Sequence, residues 1–109
     1  MHEVAVARLV AEDADRLAGG RRVKAVELQV GELASLSAGE LKQALEGLCG
    51  WGVAVVEVPA VGECACGFRG KPRVLERAHD LVLFDCPRCG GVPALSQGGD
   101  IKITRVVTF

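Results

Sequence analysis

The sequence predicts an α/β (α+β) chain that carries an inserted cysteine-rich module. Two segments place apolar residues at helical spacing, and others place them at strand spacing. Four of the five cysteines fall in a Gly- and Pro-rich stretch ahead of the last strand segment.

The first segment reads as a helix. Val6, Val10, Ala14 and Leu17 recur on one stripe, which Leu9 widens. Arg8, Glu12, Asp13, Asp15 and Arg16 take the other face, with Glu12 and Arg16 spaced as an i,i+4 pair. Gly19-Gly20 ends it. Val23 to Val30 reads as a strand with Val26, Leu28 and Val30 on one face. Val23, Ala25, Glu27 and Gln29 take the other face, and Gly31 stops the strand. Ser37 with Glu40 three residues on is a capping box, so a second helix starts there. Leu41, Leu45 and Leu48 form its stripe and Gly50 closes it. Val53 to Val58 is a β-branched run stopped by Pro59, a second strand.

Residues 60–99 differ in character. They hold three of the four prolines and only short strand-like patches, such as Leu81 to Phe84. So little apolar bulk needs a staple to fold. From Asp100 to Phe109 a third strand returns, with Ile101, Ile103 and Val107 on one face. That strand is expected to rejoin the first sheet. The chain therefore divides into residues 1–59 plus 100–109, an α/β unit, and residues 60–99, a cysteine module.

Composition narrows the function classes. The 50% hydrophobic and 25% charged residues are the composition of a folded protein, and 109 residues fit one domain, or one small domain with a satellite. Mean hydropathy is +0.29, yet no apolar run approaches the roughly 18 residues that span a bilayer. No basic patch and apolar block follow Met1, so the expected compartment is the cytoplasm, with no membrane partner. A net charge of −1 and 4% aromatics argue against nucleic acid as a partner. Within residues 60–99, Arg69, Lys71, Arg73, Arg77 and Arg88 face Glu63, Glu76, Asp80 and Asp85, and four thiolates on zinc add about −2. Such a module is a poor phosphate binder.

Cysteines in a reducing compartment point to metal rather than to disulfides. Cys64 and Cys66 form one pair, Cys86 and Cys89 a second, joined by residues 67–85. Two close pairs at that separation match a structural zinc site with four thiolate ligands, closed to catalysis. Gly67 and Gly90 each follow the second cysteine of a pair. The first pair is C-x-C rather than C-x-x-C, which leaves open whether Cys64 or another group completes the tetrahedron. His79 is the one histidine between the pairs, and its simpler reading is a hairpin residue. Cys49 stands apart beside Leu48 and Trp51 and reads as a small core residue. With two histidines and no nucleophile signature, the chain is not expected to be an enzyme.

Met1-His2-Glu3 would pass unnoticed alone, as an acid near a helix start and an incidental histidine. Its terminal amine, backbone amides and imidazole nonetheless suit Ni(II) or Cu(II). Three further stretches stand in order behind it. They are Val26-Glu27-Leu28-Gln29-Val30-Gly31-Glu32-Leu33, then Cys66-Gly67 with Cys86-Pro87-Arg88-Cys89-Gly90, then Gly99-Asp100-Ile101-Lys102-Ile103. With these motifs the whole chain resembles the HypA/HybF hydrogenase nickel-incorporation proteins. The resemblance implies two helices packed on a three-stranded sheet with an inserted zinc-ribbon-like module. It implies a nickel metallochaperone that delivers Ni(II) during maturation of nickel-iron hydrogenase. The implied partners are a HypB-type nickel GTPase and the hydrogenase large subunit, with urease maturation proteins for some members; a homodimer is left open. By position, His2, the Met1 amine and the Glu3 backbone nitrogen carry over as the nickel site, and Cys66, Cys86 and Cys89 as zinc ligands. Cys64 departs from the family pattern, because the matching position is Glu63. The competing class is a zinc-ribbon interaction module of transcription or translation machinery. A thiol redox protein is a third class, for which no motif speaks.

Overall fold

The computed structural model describes residues 2–77 and 81–109. Its elements are α1 (His2–Ala18), β1 (Val23–Gly31), α2 (Ala38–Cys49), β2 (Gly52–Val58), β3 (Val61–Glu63), β4 (Arg69–Gly70), β5 (Arg73–Arg77), β6 (Val82–Asp85), β7 (Ala94–Gln97) and β8 (Ile101–Thr108). The first sheet has the order β2-β1-β8, with β2 parallel and β8 antiparallel to the central strand. Parallel neighbours need a crossover, and α2 supplies it. Smaller sheets, β4-β3-β7 and β5-β6, follow between β2 and β8. The last strand thus rejoins the first sheet, as its alternation predicts. Neither described helix is long and apolar enough to cross a membrane.

Both helices pack over one face of the first sheet. Val26, Leu28 and Val30 of β1 meet Leu41 and Leu45 of α2 and Ala7, Val10 and Ala14 of α1 in one buried cluster. Ser37 caps α2 through the expected reciprocal pair: Glu40 N donates to Ser37 Oγ, and Ser37 N donates to Glu40 Oε1.

Five details depart from the sequence reading, the fifth in β8. The buried face of α1 is Ala7, Val10, Ala11 and Ala14, whereas Leu9 and Leu17 are 62% and 65% exposed. Alanines let the helix approach its neighbours closely, so the small side chains rather than the large ones turn inward. Arg16 pairs with Asp13 at 2.9 Å, not with Glu12. On α2, Leu48 is exposed. Val23 is buried with Val26, because the pairing of β1 with β8 shifts between Val23 and Ala25.

A second shift moves the inner face of β8. Glu27 pairs with Arg105 but Leu28 with Ile103, so Thr104 is the extra residue of a β-bulge. Its hydroxyl donates to Glu27 O at 3.1 Å. Past the bulge the alternation inverts, and Val106 rather than Val107 packs on the core beside Ile101 and Ile103.

The segment between β2 and β8 leaves and re-enters at one end of the first sheet. Val58 pairs with Gly31, and Ile101 pairs with Val30. Beyond that end, Gly31 N donates to Asp100 O, Glu32 N to Val58 O and Leu33 N to Gly98 O, all at 2.8–2.9 Å. The end of the central strand thereby ties both crossings. A small apolar cluster of Leu33, Ala60 and Val82, flanked by Phe84 and Leu95, continues from there.

Candidate metal centre

Two short turns carry the four clustered cysteines. Cys64 follows β3; Gly67 N donates to Cys64 O, and Cys64 N to Phe68 O, both at 2.9 Å. Cys86 follows β6; Gly90 N donates to Cys86 O at 2.9 Å and Cys86 N to Gly91 O at 2.7 Å. Gly67 and Gly90, singled out by position, have φ of 95° and 79°. Left-handed backbone there lets each turn double back tightly.

The turns bring all four sulfur atoms within 4.8 Å of one another. Cys64 Sγ lies 3.5 Å from Cys89 Sγ, and Cys66 Sγ lies 3.7 Å from Cys86 Sγ. A tetrahedral ion about 2.3 Å from each thiolate holds its sulfurs about 3.8 Å apart, so this donor set fits zinc. The one-residue gap between Cys64 and Cys66 does not keep Cys64 out of the cluster. Cys49 takes no part in it; burial pushes its thiol pKa up.

Backbone donors distinguish the two halves. Arg88 N donates to Cys86 Sγ and Gly91 N to Cys89 Sγ, both at 3.4 Å. Burial opposes ionisation of Cys86, but the N–H groups of Cys89 and Arg88 and the neighbouring thiols outweigh it, bringing its pKa to about 7. The Gly91 N–H favours the Cys89 thiolate, yet the Cys64 and Cys66 thiols and burial prevail and push Cys89 up to about 12. A second thiolate beside the first is disfavoured until a cation shares the charge.

Sequence reasoning did not single out two polar groups, one beside the site and one at the junction of the sheets. Asp85, next to Cys86, is buried and held in a fork by Arg73, with Nε to Oδ1 at 2.9 Å and Nη2 to Oδ2 at 2.6 Å. That bond holds the Asp85 carboxyl below its usual range. Only the β5–β6 register, which sets Arg73 opposite Asp85, reveals the pair. Glu32 is the other. Lys71 Nζ meets its Oε1 at 2.7 Å, Ala60 N donates to Oε2 at 3.0 Å, and Arg77 Nη2 donates to Glu32 O at 2.7 Å.

Of the residues expected to take nickel, His2 is the first residue of α1, and Glu3 is half-buried in its first turn. Met1 and His79 lie outside the described residues.

The chain is 36% identical over 107 residues to the hydrogenase maturation factor HypA of Rhodobacter capsulatus, covering 92% of this chain and 91% of that one. It is 34% identical over 98 residues to HypA of Geobacter metallireducens, covering 83% and 82%. Its fold is similar to the solution structure of the nickel metallochaperone HypA from Helicobacter pylori. The TM-score is 0.64 at 17% identity, with 97% of this chain and 96% of that one covered. The model of one family, described as hydrogenase/urease nickel incorporation, metallochaperone, matches residues 1–108, and the chain belongs to that HypA family.

Proposed function

We propose that this chain is a nickel metallochaperone of hydrogenase maturation, taking Ni(II) at its N-terminus and holding zinc on Cys64, Cys66, Cys86 and Cys89. The observation that carries the reading is the family match over residues 1–108, which includes the N-terminal Met1-His2-Glu3 as well as the cysteine cluster. A free-standing zinc ribbon would share only the cysteine segment.

Helix geometry supports the nickel site. The first N–H groups of a helix have no intrahelical acceptor, and α1 starts at His2, so the amides of His2 and Glu3 are not committed to the helix ladder. With the Met1 amine and the His2 imidazole they make the planar nitrogen set that Ni(II) favours. An amide nitrogen shares its lone pair with the carbonyl, so the amides have to bind as deprotonated nitrogens, whose negative charge also offsets the helix dipole's opposition to a cation here. Uptake therefore releases protons and weakens at low pH. Zinc fixes residues 60–99 as a unit on the α/β unit of residues 1–59 and 100–109. The partners that fit this role are a HypB-type GTPase and the hydrogenase large subunit, in the cytoplasm.

Calorimetric nickel titration tests the reading. His2→Ala is expected to keep fold and zinc and to lose nickel binding. An N-terminal extension, which turns the amine into an amide, is expected to weaken binding. Equal binding by wild type and both variants would remove the N-terminal site.

A further inference from the structure

The four sulfurs are unequal in a way that predicts where the zinc site reacts. Cys86 Sγ receives the Arg88 N–H and Cys89 Sγ the Gly91 N–H, whereas among the described residues the sulfurs of Cys64 and Cys66 have only cysteine sulfurs as hydrogen-bonding neighbours. An N–H bond draws electron density from a thiolate and stabilises its charged form. The first pair therefore keeps the more electron-rich sulfurs. Within that pair Cys66 is exposed and Cys64 half-buried. Cys89 is exposed but carries an N–H donor, and Cys86 is buried. Of the four, Cys66 alone combines exposure with a sulfur that receives no N–H among the described residues.

We propose that Cys66 is a modification site of the zinc-loaded chain, the thiolate that soft electrophiles and hydroperoxides attack first, with Cys86 as the sulfur that resolves its oxidised form. Cys86 Sγ, 3.7 Å from Cys66 Sγ, is placed for the second step. In the first, the Cys66 thiolate attacks a peroxide oxygen. The O–O bond breaks, hydroxide leaves and Cys66 becomes a sulfenic acid. In the second, the Cys86 thiolate attacks that sulfur and expels a second hydroxide, forming a disulfide between the two turns. Sulfur gives up two electrons, the peroxide takes them, and zinc loses two of its four ligands. Peroxide then ejects the metal, and reduction of the disulfide restores the site.

The inference rests on the zinc reading, and the test separates the two. The full-length Cys49→Ser protein, which keeps all four clustered cysteines, is loaded with zinc and its metal content is measured first. A chain that holds no zinc there overturns the zinc reading itself. The loaded protein is then treated with limiting iodoacetamide and, separately, with hydrogen peroxide, followed by peptide mapping and a chromophoric zinc chelator. The expected first alkylation is at Cys66, several-fold ahead of Cys89. Peroxide is expected to give a Cys66–Cys86 disulfide in step with release of one zinc per chain, reversed by a thiol reductant and added zinc. First alkylation at Cys89 or Cys86, or a Cys64–Cys66 disulfide as the first product, would overturn the proposal.

Discussion

Glu32 shows how much one side chain can hold at the junction of the sheets. Its carboxylate takes Lys71 on one oxygen and the backbone N–H of buried Ala60 on the other. Lys71 is exposed, and an exposed ion pair contributes under about 1 kcal/mol. The Ala60 N–H matters more, because a buried donor left without an acceptor costs about 1–3 kcal/mol. Glu32→Ala is therefore expected to destabilise by about that amount in urea unfolding, and Glu32→Gln by less, since its amide oxygen still accepts. The pH dependence follows from the same bonds. Lys71 and the Ala60 N–H hold the Glu32 carboxyl below its ordinary value of 4.5. A depressed carboxylate contributes its stability in full above the ordinary pKa and loses it as pH falls through the folded one. The acid limb of the stability curve should thus begin below about pH 4.5 and flatten in Glu32→Gln.

At the scale of elements, the tightest joint is the backbone stack of Gly31, Gly98 and Ala60. A Cβ on Gly31 would stand 2.3 Å from the carbonyl carbon and oxygen of Gly98. A Cβ on Gly98 would stand 2.4 Å from Ala60 Cα, and φ there is +86°. Backbone cannot rotate away as a side chain can, so the strands at this crossing would have to part. Gly31→Ala is expected to cost about 3 kcal/mol or more. Gly47 in α2 is the contrast, with nothing within 4 Å of an added Cβ and a helical backbone. Gly47→Ala is expected to stabilise by about 0.5–1 kcal/mol. Thermal melts of the two variants should move in opposite directions; a stabilised Gly31→Ala protein would mean that the crossing is looser than this packing.

For the molecule as a whole, apolar burial is uneven. Among the described residues the helices and first sheet share a cluster of 13 buried residues, whereas the second cluster has three, one of them Leu33 from just beyond β1. Every residue of β5 is exposed. Sheets of two and three short strands are marginal without further support, so residues 60–99 are expected to depend on the metal proposed for their four cysteines, and the first sheet is expected not to. Removing zinc with a chelator is expected to abolish amide-exchange protection in β3 to β7 and to leave β1, α2 and β8 protected. Cys86→Ala should do the same without a chelator. Protection retained throughout in a metal-free chain would contradict that division.

What the sequence determined by itself was local. The Ser37–Glu40 box, the ends of both helices at glycine and the alternation Val26-Leu28-Val30 are set by neighbours a few residues apart, and they stand in the structure as expected. The four-cysteine grouping was legible for the same reason, since each turn spans only a few residues and its spacing is the chemistry. Faces and pairings were decided by tertiary structure. Val106 and Val107 are equally apolar, and only the bulge at Thr104 says which turns inward. Leu9 and Leu17 outrank alanine in hydrophobicity, yet close packing of α1 preferred the smaller side chains. Arg73 finds Asp85, and Glu32 finds Lys71 and Ala60, through registers and chain crossings that no local pattern encodes. Short-range geometry is written residue by residue, whereas the partners of a side chain depend on how distant segments fill space together.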